Sequence, residues 1–421
     1  MHKTSLVAML IMLTTMTITT SACGDDDSQP ARPNTEQGNN DPHDNDQDDP
    51  NANQGNDDTN QGNDSTQMQP ADSSLAVTTF VGGDISMLPK YEQQHAAYAD
   101  QNGTAIGDML TFLKQQGWNT MRVRLFVDPS HDSDKAVCQD LSYVTSLAKR
   151  IKQAGLKLML DFHYSDTWAD PAKQWTPAAW LQLSDQQLQS QIYDYTRDCL
   201  SELVAAGATP DFIQTGNEIS YGMLWGAAGT SANRCYTNSA AANWDRFIAL
   251  LKQAGRACRE VCPQAKIIIH SERTPKPAVL TDFFDRMQTA QLDYDVIGLS
   301  YYPYFHGNLS VLDTALRQLE AKNYGKQIQI VETGYSSQYP IGDIDCSADY
   351  PYSEQGQLKF VNDLIDMLAQ HPQVNGLSWW YPEANAKGCT GNLSTGWYNA
   401  GLFSNNTGRA LKALYALQNF K

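Results

Sequence analysis

Positive charge is scarce in this chain of 421 residues: 30 Lys and Arg stand against 47 Asp and Glu, for a formal charge of −17. Such a balance argues against a nucleic-acid partner, because a phosphate backbone is bound by clustered Lys and Arg. Long apolar runs are also missing. The N-terminal stretch from Leu6 to Leu13 is well short of the ~20 residues that a membrane-spanning helix needs. Neither a Gly-rich phosphate loop nor a dinucleotide fingerprint follows any candidate strand, which weakens an open nucleotide-binding sheet. No Cys/His spacing has the pattern of a zinc site. From Gly24 to Asp72 apolar residues are almost absent, so that segment cannot bury enough surface to offset its chain entropy.

What is present divides into three parts. Residues 1–22 carry Lys3, the apolar run and a Thr-rich tail, the layout of an export signal. Residues 23–72 form an acidic tether of Asn, Asp, Gln, Gly, Ser and Pro that twice repeats an Asn-Gln-Gly-Asn-Asp theme. Of the chain's −17, the stretch 24–72 carries −12 and residues 73–421 only −6, the first 23 residues adding +1, so the low isoelectric point belongs mainly to the tether. Ala22-Cys23 resembles a bacterial lipobox, which implies a lipid on Cys23 and an exported protein held at the cell envelope, at the outer membrane or cell surface. Membrane contact is then through that lipid alone.

Residues 73–421 are aromatic-rich and regularly punctuated. Short β-branched or apolar runs mark strands at Val81 to Met87, Asn119 to Val127, Lys157 to Phe162, Phe212 to Glu218, Lys266 to His270, Val296 to Tyr301, Gln327 to Glu332 and Gly376 to Trp380. Amphipathic stretches between them, such as Leu141 to Ala154, Leu188 to Ala206, Asn243 to Val261 and Ser353 to Gln370, read as helices, two of them stopped by Gly155 and Gly207. Eight strands alternating with helices over more than ~250 residues point to one (β/α)8 TIM barrel, a single α/β domain acting as a monomer.

Chemistry in such a barrel sits at the carboxyl ends of the strands, and polar residues cluster there. Two apolar runs end in Glu218 and Glu332, and a pair of carboxylates across a cleft is what glycosidic hydrolysis requires. Arg122 and Arg124 share parity and should point inward, where a guanidinium needs a carboxylate. Asp161 and His163 lie on one face of the third strand, and Asn217 precedes Glu218. The sixth strand runs into Tyr301-Tyr302 and the eighth into Trp379-Trp380.

Together, Gly82-Gly83-Asp84-Ile85-Ser86, Arg122-Val123-Arg124-Leu125-Phe126-Val127, the Asp161 to Pro171 segment, Gly216-Asn217-Glu218, Val331-Glu332-Thr333-Gly334-Tyr335 and Asn399-Ala400-Gly401-Leu402-Phe403 resemble the endo-β-1,4-galactanases of glycoside hydrolase family 53. The resemblance spans residues 75–421 with its motifs in order. It implies a retaining hydrolase of β-1,4-galactan, including the type I arabinogalactan side chains of pectin, with Glu218 as acid/base and Glu332 as nucleophile. Substrate contacts would fall to Asn217, Arg124, Asp161, His163, Trp168, Tyr302 and Trp380, with Trp380 as the floor under the cleaved sugar. Either Tyr301 or Tyr302 would orient the nucleophile, and either Arg122 or Arg124 would keep it anionic. No cofactor is implied, although Asp343, Asp345 and Asp349 are candidates for a structural calcium ion. Apart from Cys23 there are seven cysteines, so at least one lacks an intramolecular partner; Cys346 and Cys389, in the loops after strands seven and eight, are the expected disulfide. Two other readings remain: another barrel glycosidase of the same clan, such as a mannanase or cellulase, and a non-catalytic glycan-binding surface lipoprotein.

Overall fold

The computed structural model describes residues 78–421 except 134, 237, 343, 392 and 394–398. The export signal, the tether and Cys23 lie outside the described residues. Eight parallel strands close on themselves in sequence order: β1 (Phe80–Asp84), β2 (Thr120–Leu125), β3 (Lys157–Phe162), β4 (Phe212–Gln214), β5 (Lys266–Ser271), β6 (Val296–Tyr301), β7 (Gln327–Thr333) and β8 (Val374–Trp380), with β8 paired back to β1. This is the expected (β/α)8 barrel.

The helices around it form where local chemistry favours them. Leu141–Gln153 starts at Asp140, whose side chain accepts from the Tyr143 N–H, and ends before Gly155 at φ +72°. Asp185–Ala205 begins three residues earlier than its apolar periodicity indicates, because Ser184 and Gln187 form a capping box around a polar first turn. These helices bury one face against the barrel wall, in a continuous apolar layer.

Inside the barrel a separate, smaller apolar plug of Met159, Phe212, Ile268, Val296 and Val331, with Phe80 against it, fills the lower end. The alternation of each strand then lifts the next inward residues above the plug, and these are polar: Asp84, Arg122, Asp161, Gln214 and His270, all buried. Gly82 is required by this crowding, since a Cβ there would meet the Thr120 carbonyl oxygen at 1.7 Å.

The end of the fourth strand and the disulfide need correction, and the seventh strand has a feature the sequence did not show. The fourth strand stops at Gln214 instead of reaching Glu218, because Gly216 at φ +120° and Glu218 at φ 48° turn the chain out of the ladder. The seventh strand is irregular: Leu299 pairs with Ile330 but Ser300 pairs with Glu332, so Val331 is an extra residue. The expected Cys346–Cys389 disulfide is not formed, and every described cysteine is a free thiol. Each of the two turns into its own loop instead, Cys346 Sγ towards the Ile344 carbonyl at 3.6 Å and Cys389 Sγ towards the Asn385 carbonyl at 3.2 Å.

Candidate active site

Arg122 is the centre of the barrel mouth. Its Nε donates to Gln214 Oε1 at 2.7 Å, Nη1 to Asp84 Oδ2 at 2.9 Å, and Nη2 to Asp161 Oδ2 at 2.8 Å and Asn217 Oδ1 at 2.9 Å. The same Nη2 lies 2.9 Å from Glu332 Oε1. Burial opposes its charge, but Asp161, Glu332 and Asp84 more than offset that and hold it ionised. Of the two arginines in the sequence pattern, it is therefore Arg122 that contacts Glu332. Arg124 is equally buried, bound to Asp84 Oδ1 at 2.6 Å, and its guanidinium lies 4.6 Å from the Trp168 ring, 4.8 Å from Trp380 and 4.9 Å from Tyr381. Its cation thus lies on three aromatic faces.

The two glutamates have unlike partners. Glu332 accepts from the Tyr302 hydroxyl at 3.0 Å in addition to its Arg122 contact; Tyr301 instead donates to the Gly307 carbonyl. Glu218 accepts from Ser300 Oγ at 2.6 Å, and it is buried beside the charges of Glu332 and Glu272. Burial pushes Glu332 up to about 7, with Arg122 and Tyr302 restraining the rise. Burial, then the Glu332 charge, pushes Glu218 well above the carboxylate range. With an arginine in direct contact only with Glu332, that residue gives up its proton first.

The remaining positions converge on the same mouth. Asn217 donates from Nδ2 to the Ala169 carbonyl at 2.8 Å while Arg122 holds its oxygen. His163 sits 3.1 Å from Asp161 Oδ2, and its Nδ1 accepts from the Ala169 N–H at 3.0 Å. Burial lowers the His163 pKa, whereas for Asp161 Arg122 and His163 outweigh burial and bring it to about 2. Trp168 and Trp380 approach each other with ring centroids 5.9 Å apart. Trp379 turns the other way, buried with its Nε1 donating to the Ala400 carbonyl.

A family model for glycosyl hydrolase family 53 matches residues 80–417. The chain belongs to that family. Among relatives, a protein from Niallia circulans described only as uncharacterised is 38% identical over 312 residues, 72% of this chain and 82% of its own. A probable arabinogalactan endo-β-1,4-galactanase A from Neosartorya fischeri is 32% identical over 344 residues, 78% and 91% of the two chains. The solved family 53 catalytic domain of Ignisphaera aggregans is 33% identical and superposes with a TM-score of 0.71, over 82% of this chain and 97% of that one.

The family 53 assignment makes this protein a glycoside hydrolase, and two residues at its centre escaped the reading of the sequence. His270 Nδ1 faces the Gln214 Nε2 amide at 3.0 Å and the Glu218 N–H at 3.3 Å, both donors, so its proton must reside on Nε2, which faces Ser300 Oγ at 2.8 Å. Burial, then Arg122, pushes the His270 pKa well down, so the ring is neutral. Ser300 then passes its own proton towards Glu218 Oε1. A polar residue closing an apolar run, as His270 closes Ile267-Ile268-Ile269, was the same signal that marked Asp161 and Glu332. For the calcium reading, Asp343 lies outside the described residues, and Asp345 Oδ1 accepts from Ser347 N–H and the Tyr352 hydroxyl. Among the described residues no three His, Cys, Asp or Glu side chains are grouped to hold a metal.

Proposed function

We propose that this family 53 enzyme cleaves internal β-1,4-galactosidic bonds of galactan, including type I arabinogalactan side chains of pectin, by a retaining double displacement. The activity for which its relatives are named supports the substrate class. The observation that carries the mechanism is the unequal treatment of the two glutamates: Arg122 and Tyr302 on Glu332, Ser300 and a neighbouring negative charge on Glu218. Glu332, ionised, attacks the anomeric carbon, while protonated Glu218 gives its proton to the leaving oxygen. Formation of the glycosyl ester removes the Glu332 charge. The pKa of Glu218 falls as a result, so it can take a proton from the water that hydrolyses the ester. Asn217, oriented by Arg122 and Ala169, binds the hydroxyl next to the reacting carbon, and Trp380 floors the subsite. Ser300 occupies Glu218 Oε1 and so leaves the transferable proton on Oε2. No cofactor takes part, the enzyme acts as a monomer, and a lipid on Cys23 with the acidic tether holds the barrel at the cell envelope.

Azide separates the two roles. Glu332→Ala should lose galactan cleavage, with azide giving an inverted azide from an activated aryl galactoside; Glu218→Ala should keep aryl turnover, and azide should yield the retained product. Rescue of both variants with the same stereochemistry would sink the assignment of roles. A digest of linear galactan should release oligomers from the first time point; monosaccharide alone, or activity on mannan or cellulose instead, would overturn the substrate reading.

A further inference from the structure

In a closed ring of eight strands, β4 and β5 lie across from the seam of β8 and β1, where Trp380 stands. The loops after β4 and β5 enclose a cavity of about 290 Å³ whose walls include Ser220, Tyr221, Arg234, Tyr236, Arg273 and Lys276. Three cations therefore face it. The one acid in its lining, Asp282, is bound to Arg286 at 2.8 Å. Arg273 pairs with Glu272 at 2.9 Å, and Glu272 also accepts from Ser220 at 2.6 Å. Arg234 donates to the Pro171 carbonyl and, among the described residues, has no carboxylate within ion-pair distance. Arg234 Nε and Arg273 Nη2 are buried without a hydrogen-bond partner. Both guanidinium groups lie on the Tyr221 ring, at 4.2 and 3.8 Å from its centroid, and Arg234 is also 5.1 Å from Tyr236. The helix Pro277–Thr289 begins at the same cavity, with Lys276 at its N-cap and no side-chain cap, so its first N–H groups add to the positive potential. Cations held on aromatic faces with donors left over are suited to a planar anion carried by a sugar ring.

We propose that this cavity is a leaving-group subsite that takes a uronic acid residue, its carboxylate bound by Arg234 and Lys276, with Arg273 fixing the Tyr221 platform. The proposal rests on the galactanase reading above. With the cleaved galactose on Trp380 and Glu218 protonating the glycosidic oxygen, the departing part of the chain extends past Glu218 towards β4 and β5. That part is the reducing end, the end by which a galactan side chain joins a uronate-containing pectic backbone. A uronate subsite there directs cleavage to bonds near the branch point.

The test compares two polymers: pectic galactan still attached to its backbone, and the same material with its carboxyl groups reduced to alcohols. Wild type should show kcat/KM about tenfold higher on the native polymer, the size expected of one charge-assisted contact, and should leave shorter galactose stubs on it. Lys276→Gln, at an exposed position, and Arg234→Gln should each bring the ratio towards one, as should about 0.5 M NaCl on wild type, which screens the contact without altering the protein. Equal rates of wild type on the two polymers, or a preference that survives both substitutions and salt, overturns the proposal. Linear neutral galactan serves as the control: if it is not cleaved, the galactanase reading itself has failed, whereas cleavage without a carboxylate preference removes only the subsite.

Discussion

At the scale of single residues, the site works by giving two identical side chains different neighbours. The contacts of Arg122 with Glu332 and of the Ser300 hydroxyl with Glu218 set the order in which they ionise. His270 touches no reacting atom in this arrangement; it positions Glu218 through Ser300 and by accepting from the Glu218 N–H. Ser300→Ala and His270→Gln should lower kcat on galactan by roughly 10- to 100-fold. An aryl galactoside whose leaving group needs no proton should be much less affected. Because the Ser300 hydrogen bond lowers the Glu218 pKa, its loss should also move the alkaline limb of the rate profile upward. Equal losses on both substrates with an unmoved limb would mean that the pair is merely structural.

At the scale of elements, both glutamates reach the mouth through departures from regular strand geometry. Val331 belongs to the inner plug, so strict alternation would send Glu332 outward to the helices; the extra residue in β7 lets both face inward. Glu218 holds a left-handed φ of 48°, uncommon for a residue with a side chain and of the kind found at functional sites. Gly216 makes that turn possible. A Cβ at Gly216 would lie 2.6 Å from Ile219 Cγ2 at a φ of +120°, so Gly216→Ala should cost about 1–3 kcal/mol of stability and reduce kcat by more than the loss of folded protein explains. The comparison is Gly207→Ala, at φ +73° with nothing within 4 Å of the added Cβ. It should cost about 1 kcal/mol and leave kcat unchanged. Melting curves and initial rates on both variants decide the point.

At the scale of the whole molecule, the buried acids tie both activity and stability to pH. Under the proposed roles activity needs Glu332 ionised and Glu218 protonated, so kcat/KM should fall as pH drops below about 7 and fall again as pH rises through the elevated Glu218 value. An acid limb near 4 in the free enzyme would contradict the raised Glu332 value. Glu383, buried near Asp84 and pushed up to about 8, accepts from the Met87 N–H and shows the stability side. Its folded pKa exceeds the ordinary 4.5, so the native state holds the extra proton; the stability it contributes is present below 4.5 and lost as pH rises through about 8. Glu383→Gln should therefore flatten the decline of melting temperature between pH 5 and 9, and an unchanged slope would remove Glu383 from the account. The barrel closes on itself from Phe80 onward, so a chain starting at Ser73 should fold and remain active, while Cys23→Ser in the full chain should move activity from the membrane to the soluble fraction. A wild-type Cys23 found unmodified by mass spectrometry would end the anchor proposal.

The barrel was legible in the order of residues because its signals are local: apolar runs of strand length, helices closed by Gly155 and Gly207, and polar residues at the carboxyl ends of most strands. The inward parity of Arg122 and Arg124 and the common face of Asp161 and His163 followed from the period of two alone. The partners of those side chains did not, since Arg122 joins Asp84, Asp161, Gln214, Asn217 and Glu332 from β1, β3, the end of β4 and β7, and only closure of the sheet brings them within 3 Å. The same holds for the choice of Arg122 and Tyr302 over their neighbours, and for the separation of Cys346 from Cys389 despite loops that follow adjacent strands. An extra residue in β7 and a left-handed turn after β4 leave no periodic trace in sequence, yet they aim the two glutamates, because side-chain direction at a strand end is set by pairing with the next strand.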